Sequence, residues 1–201
     1  MIKLTKNELR DQQLRLSQLQ KYLPTLQLKK AMLQTEVNQA TLEIEALTDA
    51  YQKDKEVCAS FQALMTDPAA FYLSYGTQIA QVKKEYENIA GVDIPHFDSV
   101  IFKPAGYTLF DTPLWLDSAL NKLRTLVIAR EKVTVATEKK RLLEKELREV
   151  SIRVNLFEKV MIPRTQANIK KIKIFLGDQE LAAVSQAKVA KRKILQHKEE
   201  A

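Results

Sequence analysis

Two interleaved seven-residue series run through the first quarter of the chain. One reads Leu16, Leu23, Lys30, Val37, Ile44, Tyr51 and the other Leu19, Leu26, Leu33, Ala40, Leu47. Ten of these eleven positions are apolar, and only Lys30 breaks the set. Spacings that alternate between three and four residues keep one stripe on one side of a helix. A stripe sustained over several heptads is the face of a coiled coil. Upstream, Thr5-Lys6-Asn7-Glu8 fits a capping box, with Leu4 and Leu9 placed for a hydrophobic staple. Pro24 removes one backbone donor inside the run and is expected to bend the helix locally. A helix over 5–65 would be on the order of 90 Å long.

A stripe of this kind cannot bury itself, so a partner helix is required. The sequence offers one near its other end. Thr112-Pro113 reads as a cap followed by proline at the first helical position. Leu116, Ala119, Leu123, Leu126 and Val133 then follow, and later Leu143, Leu147, Val150, Val154, Phe157 and Met161. The seam is weak between Thr134 and Arg141, and Pro163 interrupts it. The predicted fold is mainly α: a long antiparallel two-helix coiled coil from the N- and C-terminal arms, with a shorter middle helix and a small β-hairpin. The predicted organisation is a single elongated domain, with an N-terminal arm over 1–66, a middle helix and hairpin over 67–111, and a C-terminal arm with a basic tail over 112–201.

In the middle segment, Asp67-Pro68 signals a new helix start. Tyr72, Tyr75, Ile79, Val82, Tyr86 and Ile89 step by three and four, so the spacing predicts a helix ending at Gly91. Val100-Ile101-Phe102 and Tyr107-Thr108-Leu109-Phe110 are β-like runs joined by Lys103-Pro104-Ala105-Gly106, which predicts the hairpin there. Pro95 confines any strand over 92–96 to an edge.

Charge and reactive residues narrow the function classes. The 201 residues carry a net charge of +7, almost all of it in the last quarter. Residues 153–201 hold 11 basic and 5 acidic side chains, whereas 1–152 hold 21 and 20. A basic end suits nucleic acid, an anionic surface or an acidic protein socket. Cys58 is the only cysteine, which excludes an intrachain disulfide and fits a reducing compartment. No apolar run is long enough for a membrane span, so a soluble chain able to dock on a membrane complex is expected.

Catalytic groupings are missing. His96 and His197 lie far apart and read as solvated surface residues, and Cys58 as a packed or half-exposed thiol. No phosphate-binding glycine loop occurs, so neither a cofactor nor a metal site is expected. Glu138-Lys139-Lys140-Arg141 and Glu144-Lys145-Glu146 read as solvated helix faces with i,i+4 pairing.

The distal part of the C-terminal arm is the candidate contact region. Lys170 to Ile174 alternates briefly like a strand, but Ile169, Ile172, Phe175 and Leu176 fit one helix face. Gly177 either caps that helix or is a small residue at a close approach, and Asp178 could cap a following one. A basic segment follows, with Lys188, Lys191, Arg192 and Lys193.

Arg153-Val-Asn-Leu-Phe157-Glu-Lys-Val-Met-Ile-Pro163 and Asn168-Ile-Lys-Lys-Ile172-Lys-Ile-Phe-Leu-Gly177-Asp-Gln-Glu180 together resemble the C-terminal signature of the D subunits of V-type and archaeal A-type ATPases. Leu4-Thr5-Lys6 before a leucine-rich helix is similar to that family's opening, and Gly91-Val92 falls where its members carry a short β-hairpin. The resemblance covers nearly the whole chain. It implies a non-catalytic central-stalk rotor component on the cytoplasmic side, peripheral to the membrane. Its implied partners are catalytic A and B subunits, the small F subunit of the stalk and a funnel-shaped component of the membrane rotor. It implies torque transmission between the catalytic ring and the ion-translocating ring. Partner contacts are then expected at Arg164, Lys171, Phe175, Gly177, Asp178, Ala183, Ala187 and Lys191. Composition alone also admits a generic coiled-coil scaffold or a basic nucleic-acid-binding hairpin. The second is disfavoured because the basic segment lacks interleaved aromatics.

Overall fold

The computed structural model describes residues 2–107 and 112–199, the side chains of 197–199 excepted. In chain order, α1 spans Lys6–Ala59, two 3-10 turns span Gln62–Thr66 and Pro68–Ala70, and α2 spans Phe71–Gly76. Strands β1 (Ile79–Ile89) and β2 (Val92–Phe102) follow, then α3 (Trp115–Leu156), a π-helical turn (Phe157–Met161) and α4 (Ile162–Glu199). The fold is mainly α with one two-stranded antiparallel sheet. The chain divides into two compact units, one of residues 1–28 with 150–201 and the other of residues 29–149.

All eleven heptad positions of α1 are buried or half-buried. Cys58 lies seven residues past Tyr51 and extends the same seam, buried in turn. Glu8 N–H donates to Thr5 Oγ1 at 3.3 Å, which is one arm of the predicted capping box. The Glu8 carboxylate instead accepts from Gln12 Nε2 at 2.9 Å. Pro24 stays inside α1, and Gln20, whose carbonyl loses its donor there, is exposed to water.

In the unit of residues 29–149, Lys29 meets Glu146, Glu43 meets Lys139, and Cys58 meets the Lys122 carbonyl. The α1 numbers rise as the α3 numbers fall, so the two helices run antiparallel. Leu33, Val37 and Ala40 of α1 and Val135, Ala136 and Leu143 of α3 are buried. The weak stretch at 134–141 is therefore closed by Val135 and Ala136, and by Lys139, whose side chain is only 12% exposed beside Glu43. Glu138 and Lys139 thus make contacts between elements, where solvated i,i+4 pairing was expected. Only Lys140 with Glu144 follows that expectation, at 3.8 Å.

The unit of residues 1–28 and 150–201 buries Leu19 with Val150, Val154, Thr165 and Ile172. Lys6 lies 3.6 Å from Glu180. The helix passes Pro163 through the π turn, where Ile162 N–H bonds the Phe157 carbonyl five residues back. Proline at 163 has no N–H and crowds the carbonyl four residues before it, so a widened turn resolves the conflict without ending the helix.

The hairpin differs from the sequence expectation. β1 and β2 pair from Ile79–Phe102 to Ile89–Val92, so the segment 79–89 is strand where its spacing predicts helix. The turn is Ala90-Gly91, with φ of 53° and 81°. Two consecutive positive φ values in a two-residue loop match the twist of paired strands. Gly91 N–H donates to Asn88 Oδ1 at 3.0 Å, and Asn88 Nδ2 donates to Asp93 Oδ1 at 2.7 Å. Register shifts at Ile79/Gln81 and Lys83/Lys84 break the strict alternation that would have revealed a strand. Pro95 sits opposite Tyr86 in a strand with one free edge, as its missing donor requires. Of the hairpin expected at 100–110, Val100 to Phe102 belongs to β2. Residues 108–110 lie outside the described residues.

Candidate interaction surfaces

Among the described residues, no group of three or more His, Cys, Asp or Glu could hold a metal ion. Cys58 Sγ donates to the Lys122 carbonyl at 3.7 Å. Burial raises its thiol pKa, the nearby Asp54 carboxylate adds to the rise, and Lys122 opposes it. A protonated thiol bonded to a carbonyl is a packing group, as the sequence reading has it. His96 is half-buried in β2, with Nε2 3.2 Å from Glu87 Oε2, and so is not the solvated residue expected. The side chain of His197 lies outside the described residues.

All eight predicted contact residues lie on α4. Seven are exposed, and Gly177 is half-buried. Arg164, Lys171, Phe175 and Asp178 are spaced by seven, four and three, which aligns them on one side of the helix. Ala183, Ala187 and Lys191 form a second line four residues apart. The helix runs unbroken through Gly177, so neither Gly177 nor Asp178 is a cap. A Cβ at Gly177 would meet no atom within 4 Å. Ile172 is fully buried while Ile174 is 56% exposed, which settles the 170–174 stretch as helix with Ile172 facing inward.

From Asp178 to Gln196 every residue is exposed, including Leu181, Val184, Val189, Ile194 and Leu195. A polar helix end would need no explanation. Five large apolar side chains and four cations at 188–193 share this exposed stretch, which makes it a candidate contact surface. No helix among the described residues is long and apolar enough to cross a membrane.

Other surface features went unread in the sequence. The hairpin lies along α3: Arg124 stacks over Phe102 at 5.2 Å, Lys132 over Phe97 at 5.6 Å, and Lys84 pairs with Glu138. Ile94 is fully buried beneath it. Near α2, Leu73, Leu116, Ala119 and Leu120 form a small core. Phe71, Tyr72 and Tyr75 remain exposed around it, and Met65, Leu73, Leu123 and Leu126 line an apolar groove. The Phe71-Tyr72 and Tyr75 cluster was the available signal, but its helical spacing reads equally as a core stripe.

Comparison with known proteins agrees with the fold. A profile of the family of ATP synthase D subunits matches residues 8–192. The V-type ATP synthase D subunit of Chlamydia abortus is 46% identical over 202 residues, covering 99% of this chain and 96% of its own. Its namesake from Chlamydia trachomatis serovar L2 is 44% identical over 201 residues, covering 98% of each. That from Chlamydia pneumoniae is 42% identical over 200 residues, covering 96% of this chain and 93% of its own. Identity at this level over nearly the full length, together with paired long helices and a short hairpin, leaves one conclusion: the chain belongs to the family of ATP synthase D subunits.

Proposed function

We propose that the chain is the central-stalk rotor component of a V/A-type rotary ATPase. It carries torque between a catalytic ring of A and B subunits and an ion-translocating ring in the membrane, and takes no part in catalysis itself. The observation that carries this reading is the family match over residues 8–192 on a chain whose long helices pair antiparallel. Torque needs a stiff element. Two helices packed on a shared apolar face resist bending and twisting better than one.

The exposed end of α4 supports the same reading. Its contacts at Arg164, Lys171, Phe175, Gly177, Asp178, Ala183, Ala187 and Lys191 would face the surrounding A and B subunits. A rotor end must not lock to any one catalytic partner, so small side chains such as Ala183 and Ala187 suit it. The aromatic cluster at Phe71, Tyr72 and Tyr75 and the α3-docked hairpin are then free for the small F subunit and the funnel-shaped component of the membrane rotor. The location that follows is cytoplasmic and peripheral to the membrane.

The test is recovery of the chain from its native cells with mass spectrometry of its companions. A and B subunits with the small F subunit at fixed stoichiometry are expected; self-association alone, or bound nucleic acid, would refute the shaft. Within an assembled complex, replacing Ala183 and Ala187 by Trp is expected to slow ATP turnover while leaving assembly intact.

A further inference from the structure

The unit formed by residues 1–28 and 150–201 holds a notch of about 400 Å³ lined by Gln12 and Arg15 of α1, by Val160 and Met161 of the π turn, and by Arg164, Thr165 and Asn168 of α4. Its lining includes two arginines and no carboxylate. Neither arginine is ion-paired among the described residues. The comparable hollow beside the hairpin, lined by Lys132 and Lys139, also contains Glu43, which already neutralises Lys139 at 3.0 Å.

We propose that this notch binds a small tetrahedral oxyanion of the phosphate class. Two guanidinium groups brought to one hollow from different helices offer planar forks of donors. Such forks match the paired oxygens of a phosphate and hold it in a bidentate way. The Asn168 amide adds a neutral donor at the same wall. The Thr165 hydroxyl is spent on the Met161 carbonyl at 2.8 Å, and that bond ties the wall of the notch to the π turn. Only the folded unit brings the two arginines to one hollow, which gives the ligand a differential affinity for that unit. Nothing in this proposal depends on the rotor reading, because the free chain contains every group invoked.

The test follows the arginine Nε–H signals of the full chain by two-dimensional NMR during titration with inorganic phosphate at constant pH and ionic strength. Arg15→Lys and Arg164→Lys assign the two signals. Both are expected to move together and saturate, with a dissociation constant on the order of 1 mM, the strength that two charge-assisted contacts support. Sulfate is expected to act like phosphate. Arg15→Gln is expected to weaken the response at Arg164 about tenfold or more, and Arg164→Gln to do the same at Arg15. The exposed Arg148→Gln should leave it unchanged. Both notch arginines are exposed, so these variants should fold, as circular dichroism would verify. Non-saturating shifts equal to those produced by chloride would overturn the proposal. Saturation by acetate as tight as by phosphate would also overturn it, because the notch would then read carboxylates.

Discussion

Lys29 Nζ lies 2.8 Å from Glu146 Oε1, joining α1 to α3 across 117 positions of sequence. The two side chains are 30% and 24% exposed, so the pair is partly shielded from water and tied to one geometry. Such a pair contributes more than a fully solvated one, for which about 0–1 kcal/mol is usual. In a double-mutant cycle with Lys29→Met and Glu146→Gln, a coupling of about 1 kcal/mol is expected by urea unfolding. The exchanged pair Lys29→Glu with Glu146→Lys should recover much of that loss. A coupling indistinguishable from zero would show that the contact only decorates the seam.

Gly76 is the tightest glycine in the chain. A Cβ there would stand 2.6 Å from Leu120 Cδ1 and 3.0 Å from Ala105 Cβ, within a small core where Leu120 has little room to move. The Gly76 carbonyl also accepts from Arg124 Nε at 2.9 Å, which fixes the backbone in place. Gly76→Ala is expected to destabilise by about 1–3 kcal/mol through overpacking, lowering the midpoint of thermal unfolding. Gly177→Ala, with open space around it and a helical backbone, should instead be neutral or stabilise by up to about 1 kcal/mol.

Inward and outward residues of α4 make a paired test. Ile172 is fully buried and Ile174 is 56% exposed, two positions apart on one helix. Ile172→Ala is expected to cost about 2–4 kcal/mol, since it removes buried methyl groups and leaves a cavity. Ile174→Ala should cost less than about 0.5 kcal/mol. Chemical denaturation of both variants checks the difference, and equal costs would contradict the orientation of α4.

Two groups set an alkaline limit. Lys84 has its pKa raised, chiefly by its hydrogen bond to Glu138 and against the opposing effect of burial. The Tyr107 phenol is raised by burial first and then by its hydrogen bond to Asp117. Both shifts favour the protonated form in the folded state. The stability they add is fully present below the unfolded values, about 10 for each, and is lost as pH rises through the folded values. Unfolding free energy measured from pH 8 upward should therefore fall above about pH 10. Lys84→Met should make that fall shallower.

The thiol of Cys58 should be inert. Burial and the Asp54 charge keep it protonated, and the thiolate is the reactive form. A maleimide probe at neutral pH should label the native chain far more slowly than the chain unfolded in urea. Rapid native labelling would mean that the end of the α1 seam opens.

Local chemistry made much of this fold legible. The seam from Leu16 to Tyr51 needs no knowledge of its partner, because a three-four spacing of apolar residues defines one helix face wherever the helix lies. Thr5 and Asp67 act as the caps their side chains suggest, Asp67 Oδ1 accepting from Ala69 N–H at 2.8 Å. The family signature at 153–180 likewise lies in the order of residues alone.

The hairpin was not legible in the same way. Ile79, Val82, Tyr86 and Ile89 keep helical spacing within an actual strand, because two register shifts reset the alternation and because burial by α3 selects which side chains face inward. Asn88 and Gly91 carried the turn, yet a glycine after an apolar run serves equally as a helix stop. Nor could sequence show that Lys139 meets Glu43, or that Arg15 shares a hollow with Arg164, since each pair joins residues about a hundred or more positions apart. The sequence by itself determined the two long helical arms and their apolar faces, which depend on neighbours three and four residues away, and the family, which rests on the order of residues. Which strands pair, which charges are neutralised and which arginines stay unpaired were decided only by the tertiary structure, because they depend on what long-range packing brings within a few ångströms.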